Sequence, residues 1–207
     1  MEIELIKLLQ SAKNGFYDFA FTFFSYLASY VGFVVVLAVF LIISIVLIAK
    51  NKPHRKFLIF TATFGVTYGL AIGLNYILKI IINRPRPYEV DAEIINALPA
   101  LGRSMPSGHM VSVTIVCIFV FFAVLYFCKT KKSGLAWLGA VLGMILFLSM
   151  LSRMYLGQHY ISDLIVGLVL GTLCSILGLW IYKNITKGKT YDDRENNFEK
   201  TEREETF

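Results

Sequence analysis

The chain has 207 residues, 57% of them hydrophobic and 16% charged, with a formal net charge of +6. A soluble domain needs polar residues over its surface, whereas here the charges are confined to gaps between apolar runs of about twenty residues, which excludes a soluble globular class. The positive balance does not point to nucleic acid either, because the basic residues sit in short loops between those runs.

The first residues, Met1-Glu2-Ile3-Glu4, are acidic where a cleavable signal peptide would be basic. Residues 16–30 are apolar but short, crowded with aromatics and interrupted by Asp18. Rings at that density favour the headgroup level, so residues 2–28 predict one or two helices lying along the interface, with a sixth span as the competing reading. Residues 31–49 are uniformly aliphatic, and residues 57–78, 110–128, 134–152 and 164–182 carry no charged side chain. At 1.5 Å per helical residue each run matches a hydrocarbon core of about 30 Å. The expected fold is therefore all-α, a polytopic transmembrane bundle of about five spans plus N-terminal interfacial helices. Three segments follow: an interfacial segment at 1–30, a transmembrane domain at 31–186 and a charged tail at 187–207. The tail is poor in aliphatics, which predicts disorder or loose helix.

Orientation follows from the loops. Lys50, Lys52, Arg55 and Lys56, then Lys129, Lys131 and Lys132, then Lys183, Lys187 and Lys189 all fall on one side of a five-span arrangement. The positive-inside rule makes that side cytoplasmic, the tail included, and turns residues 79–109 and 153–163 outward. Those outward loops nevertheless carry Lys79, Arg84, Arg86, Arg103 and Arg153, and cations on the disfavoured side call for a reason. Glycines four apart (Gly65, Gly69 and Gly73; Gly139 and Gly143; Gly167 and Gly171) predict helix-packing faces. Cys117, Cys128 and Cys174 show no paired spacing and read as small buried hydrophobes. The acceptor pattern at Asn184-Ile185-Thr186 lies on the predicted cytoplasmic side and reads as coincidence.

Of three histidines, His54 sits in a basic loop, while His109 and His159 fall at the outward ends of spans. His159 and Asp163, four apart, would share one face of a helix, letting the carboxylate fix the imidazole tautomer and free the other ring nitrogen. Ser152-Arg153 ends the preceding span, where a guanidinium fork suits two phosphate oxygens. Pro106-Ser107-Gly108-His109 stands just before a span, so its first N–H groups would form an anion site with His109 above it as proton donor. In the run from Lys79 to Pro87, prolines force an extended exit that fixes Arg84 or Arg86 above the bilayer plane. Each cluster alone has a plain reading: a capped turn, a snorkelling cation, a structural histidine–carboxylate contact. Together they supply charge stabilisation, a nucleophile and an acid, which displacement at phosphorus requires.

The order and spacing of these residues resemble the type 2 phosphatidic acid phosphatase superfamily. Its three motifs read here as Lys79 with Arg86-Pro87, then Pro106-Ser107-Gly108-His109, then Ser152-Arg153 with His159 and Asp163, without departure at any position. The resemblance implies a helical membrane core and an integral membrane lipid phosphatase. His159 would attack phosphorus to give a phosphohistidine, Asp163 would orient it, and His109 would protonate the leaving group and then activate water. Lys79, Arg86, Arg153, Ser107 and the Gly108 amide would hold phosphate, with Pro87, Pro106 and Ser152 in support. No metal and no other cofactor is implied, in keeping with the lack of an acidic cluster near the motifs. Arg84 and Arg103 stand outside the pattern and are candidate contacts for a headgroup or second phosphate. The expected partners are the bilayer and a lipid phosphate, with undecaprenyl diphosphate ahead of phosphatidylglycerophosphate or phosphatidic acid; the oligomeric state is not encoded. The competing readings are phosphoryl transfer to another acceptor through the same site, and a non-catalytic anionic-lipid binding or transport protein.

Overall fold

The computed structural model describes residues 1–52, 54–98 and 102–205, with side chains up to residue 187. Among the described residues eight helices succeed one another: α1 Glu2–Ser11, α2 Gly15–Leu27, α3 Tyr30–Ala49, α4 Arg55–Ile82, α5 Pro87–Val90, α6 Gly108–Phe127, α7 Lys132–Tyr155 and α8 Ile161–Glu205. Among the described residues five helices, α3, α4, α6, α7 and α8, are long and apolar enough to cross a membrane. The 13 residues of α2 extend only about 20 Å, short of the hydrocarbon core, so the sixth span does not form. The backbone of the charged tail continues α8 as helix to Glu205.

Local chemistry sets the helix ends. The Asn14 side chain accepts the N–H of Tyr17 at the start of α2, and Ser29 accepts that of Val31 at the start of α3. Helix α4 stops at Asn83, which adopts the left-handed conformation with φ 49° and returns its N–H to the Lys79 carbonyl. Pro85 and Pro87 then hold Arg84 and Arg86 in extended backbone. Beyond α7, Gly157 turns the chain with φ +72°, and a Cβ there would meet the Ile95 carbonyl oxygen at 2.5 Å. Only glycine lets these two loops touch.

Helix α6 is the axis of the bundle and packs against α3, α4, α7 and α8. Toward the end where α3, α6 and α8 have their C-termini, the core is a cluster of rings, Phe40, Phe57, Phe60, Phe64, Phe119 and Tyr182. Toward the other end Met110, Met154 and Leu164 pack with Ile6 of α1, which is fully buried. The outer surface is aliphatic: Val35, Ile42 and Ile45 of α3 are each more than half exposed, as lipid-facing positions should be. The basic loops 50–56 and 129–132 and the end of the fifth span lie at the end opposite α1 and the α4–α6 loop.

One sequence expectation needs correction. Gly65, Gly69, Gly73 and Gly143 have nothing within 4 Å of an added Cβ, so their stripes are not packing faces. Helix α4 buries a different side, through Phe60, Phe64, Thr67 and Tyr68. Gly167 and Gly171 do pack closely, and a Cβ on them would reach Met110 and Thr114 of α6 at 2.9 Å. Helix α1, too short to span, is fastened to the Met110 end of the bundle by polar contacts. Lys7 bridges Asp91 at 2.9 Å and Glu93 at 2.7 Å, and Gln10 bonds the backbone of Ile95 and Tyr155.

Candidate active site

The chemistry-bearing residues arrive from four helix ends. Lys79 lies in the last turn of α4, and Arg86 follows in the extended exit. Gly108 and His109 open α6, Arg153 lies in the last turn of α7, and His159 stands two residues before α8. All six line one cavity of about 590 Å³. Its remaining wall includes Tyr26, Tyr30 and Val31 at the α2–α3 junction and Tyr68 and Ile72 of α4, so a polar floor adjoins an apolar side.

Each cation is braced. Arg153 is buried at 2% exposure; Nη1 donates to Ser25 Oγ of α2 and Nη2 to Gln158 Oε1, while Nε has no partner among the described residues. Gln158 in turn donates from Nε2 to the Leu98 carbonyl at 2.6 Å. Arg86 donates from Nε to the Gly102 carbonyl at 2.9 Å and from Nη1 to that of Gln158 at 3.2 Å. Lys79 Nζ donates to the carbonyls of Arg103 and Ser104. The contacts named above run to carbonyl, amide and hydroxyl oxygens, and three cations on one cavity make a lining suited to an anion.

The start of α6 faces the same space. Ser107 caps the helix by accepting the Met110 N–H at 3.5 Å, and its own N–H donates to the Asp163 carbonyl at 3.1 Å. This bond straps the start of α6 to the start of α8. The Pro106 carbonyl accepts from Asn75 Nδ2 at 3.3 Å across the pocket wall. Ser107 is fully buried, and its hydroxyl proton remains available to donate.

His159 and Asp163 are not on one helix face. His159 lies in the turn before α8, and Asp163 is in the first turn, where its Oδ2 reaches back to the Tyr160 N–H at 3.0 Å. The carboxylate thus caps its own helix, and the shared face expected from the four-residue spacing is absent. His159 Nδ1 stands 3.5 Å from Asp163 Oδ2, longer than an ordinary hydrogen bond, in a site where both side chains are almost fully buried. Ser104 Oγ also donates to Oδ2. Burial, then the charges of Arg153, Arg86 and Lys79, hold the His159 imidazole well below its usual value, so it is neutral at pH 7.

Of the other sequence-derived candidates, Ser152 donates to the Phe21 carbonyl and so anchors α2 against α7, while Pro87 begins α5 and is buried. Neither lines the cavity, nor do Ser107, Pro106 and Asp163, which stand behind it. Arg103 is about half exposed, 3.9 Å from Glu89, and Arg84 is engaged with Asp163. Sequence reasoning passed over Asn75, Ser104, Gln158 and Ser25. A polar amide inside an uncharged span, as at Asn75, is the one signal that could have been followed. Among the described residues no group of three or more His, Cys, Asp or Glu is arranged to hold a metal ion.

A bundle of membrane-spanning helices with a cationic, histidine-bearing pocket at one end defines a polytopic membrane protein. The chain belongs to the PAP2 superfamily, whose profile matches residues 60–187, from α4 through the fifth span. It is 28% identical over 117 residues to lipid phosphate phosphatase delta of Arabidopsis thaliana, covering 54% of this chain and 28% of that protein. It is 27% identical over 143 residues to undecaprenyl-diphosphatase BcrC of Bacillus subtilis, covering 69% of this chain and 66% of that one. The chain therefore spans less than two thirds of the length of either relative. Among solved structures, a transmembrane PAP2-type phosphatidylglycerolphosphate phosphatase of Bacillus subtilis superposes with a TM-score of 0.72 at 22% identity, over 89% of this chain and 85% of that one. LpxE of Aquifex aeolicus gives 0.60 at 27% identity, over 85% and 93%. The first of these likenesses bears on the fold alone.

Proposed function

We propose that the protein is a membrane lipid phosphatase acting through a phosphohistidine at His159. The observation that carries this reading is the convergence of Lys79, Arg86, Arg153, His109 and His159 on one cavity with an apolar side wall. The neutral imidazole of His159 attacks phosphorus while the three cations and the Gly108 N–H hold the nonbridging oxygens. Asp163 stabilises the imidazolium that develops, and His109 protonates the leaving oxygen, then takes a proton from the water that cleaves the phosphoenzyme.

Undecaprenyl diphosphate is the substrate we favour, ahead of phosphatidylglycerophosphate and phosphatidic acid. Its terminal phosphate suits the polar floor and its chain suits the apolar wall, and similarity to an undecaprenyl-diphosphatase supports the choice. We assign residues 31–186 to the catalytic unit, 1–30 to a docked N-terminal segment and 187–207 to a cytoplasmic tail. Basic loops at the end away from the site support an extracytoplasmic active site. Purified protein in EDTA should release phosphate from one of these lipids, and His159→Ala should abolish release. Activity that survives in His159→Ala would remove the histidine mechanism. A reporter fused after Lys187 should signal from the cytoplasm, and an outward signal would reverse the orientation.

A further inference from the structure

Arg84 lies outside the three motifs, yet it is bonded directly to the carboxylate beside His159. Its Nη1 donates to Asp163 Oδ1 at 2.7 Å and to Ser162 Oγ at 2.6 Å. Its Nη2 donates to Glu2 Oε2 at 2.9 Å, and its guanidinium carbon stands 3.9 Å from the centroid of the Tyr160 ring. Glu2 closes the arrangement, since its Oε1 accepts the Ser162 N–H at 2.9 Å. One residue of α1 thereby reaches both the first turn of α8 and the cation that holds Asp163.

The consequence is electrostatic as well as mechanical. Asp163 turns Oδ1 to Arg84, and turns Oδ2 to Ser104, the Tyr160 N–H and His159. The negative charge it presents to His159 is shared with Arg84, and Glu2 offsets that cation. His159 also faces Arg153 from α7, Lys79 and Arg86 from α4 and its exit, and His109 from α6. Glu2 reaches Asp163 through Arg84 and also touches the first turn of α8 at the Ser162 N–H, and the charge coupling runs through Arg84. Helix α1 does not need this contact to stay docked, because Ile6, Lys7 and Gln10 already hold it.

We propose that Arg84 and Glu2 are a positioning pair that sets the charge Asp163 presents to His159, so that the N-terminal helix tunes the nucleophile. The inference rests on the reading of His159 as nucleophile. Removing the Arg84 charge should make the imidazole easier to protonate, and removing the Glu2 charge should make it harder. The two variants should therefore shift the same kinetic limb in opposite directions, which loss of a purely structural contact would not do.

The test is the pH profile of kcat for phosphate release from undecaprenyl diphosphate by the full chain in micelles, where substrate ionisation is common to all variants. Arg84→Gln should move the acidic limb to higher pH by about one unit, and Glu2→Gln should move it lower by a smaller amount. Arg84→Lys, which keeps the charge, should leave the limb in place. The double variant should follow Arg84→Gln alone, with KM within about twofold of native throughout. The 15N shifts of the His159 ring, assigned by their absence from His159→Ala, should report the same displacements in variants too slow to assay. Shifts in one direction for both single variants, no shift in either, or an effect of Glu2→Gln that persists without Arg84 would overturn the proposal while leaving the phosphatase reading intact. Native protein no more active than His159→Ala would overturn that reading, and this inference with it.

Discussion

Gly167→Ala tests whether the α6–α8 contact sets the active-site geometry. A Cβ on Gly167 would lie 2.7 Å from the Ser107 carbonyl oxygen and 2.9 Å from Met110 Cβ. That is roughly 0.7 Å inside ordinary contact, and the obstructing atom is backbone, so the two helices must separate. The strap from the Ser107 N–H to the Asp163 carbonyl stretches, and Gly108 and His109 retreat from His159. If a 1 Å misplacement costs about a hundredfold, a shift of this size should lower kcat about tenfold. Stability should fall by no more than about 2 kcal/mol, because about 1 kcal/mol of helix propensity gained offsets part of an overpacking cost of about 1–3 kcal/mol. Gly69→Ala is the control, since nothing lies within 4 Å of its added methyl. Phosphate release and thermal melts in the same detergent should show native kcat for Gly69→Ala and the tenfold loss for Gly167→Ala. Native kcat in Gly167→Ala, with the protein folded, would refute the argument that this contact sets the site.

Arg153→Lys keeps the charge but loses the fork that now bonds Ser25 and Gln158, so kcat/KM should fall by about a hundredfold or more with the fold retained; steady-state kinetics beside a melt would check both parts. The depressed proton affinity of His159 also predicts an acid-side loss of stability. The folded state binds fewer protons than the unfolded chain once pH falls below the imidazole's usual value near 6.5, so stability is unaffected above that value and declines below it. His159→Asn should flatten the fall in Tm between pH 7 and pH 5, and an unchanged slope would show that His159 is not the group responsible.

The spans could be read from the sequence because the bilayer demands about twenty uncharged residues per helix, and that demand writes itself into the runs. The motif residues could be read from their spacing, but how they sit depends on contacts no spacing encodes. His159 misses the helix because the Gly157 turn and the reach-back of Asp163 to Tyr160 start α8 later than a four-residue periodicity implies. The glycine stripes look alike in sequence, yet α8 presses both glycines of its stripe, Gly167 and Gly171, against a partner helix, while α4 turns Gly65 and Gly69 to empty space. The docking of α1 joins Glu2 to Ser162 and Gln10 to Tyr155, partners on the order of 150 residues apart, and pairing at that range follows from the assembled fold.

The central claim is that phosphate passes through His159. Brief reaction with a lipid carrying 32P in its terminal phosphate, quenched in alkali to preserve phosphohistidine, tests it most directly. Label should be found on the peptide containing His159 and should be absent from His159→Ala. Turnover without label on that peptide, or label that persists in His159→Ala, would contradict the account.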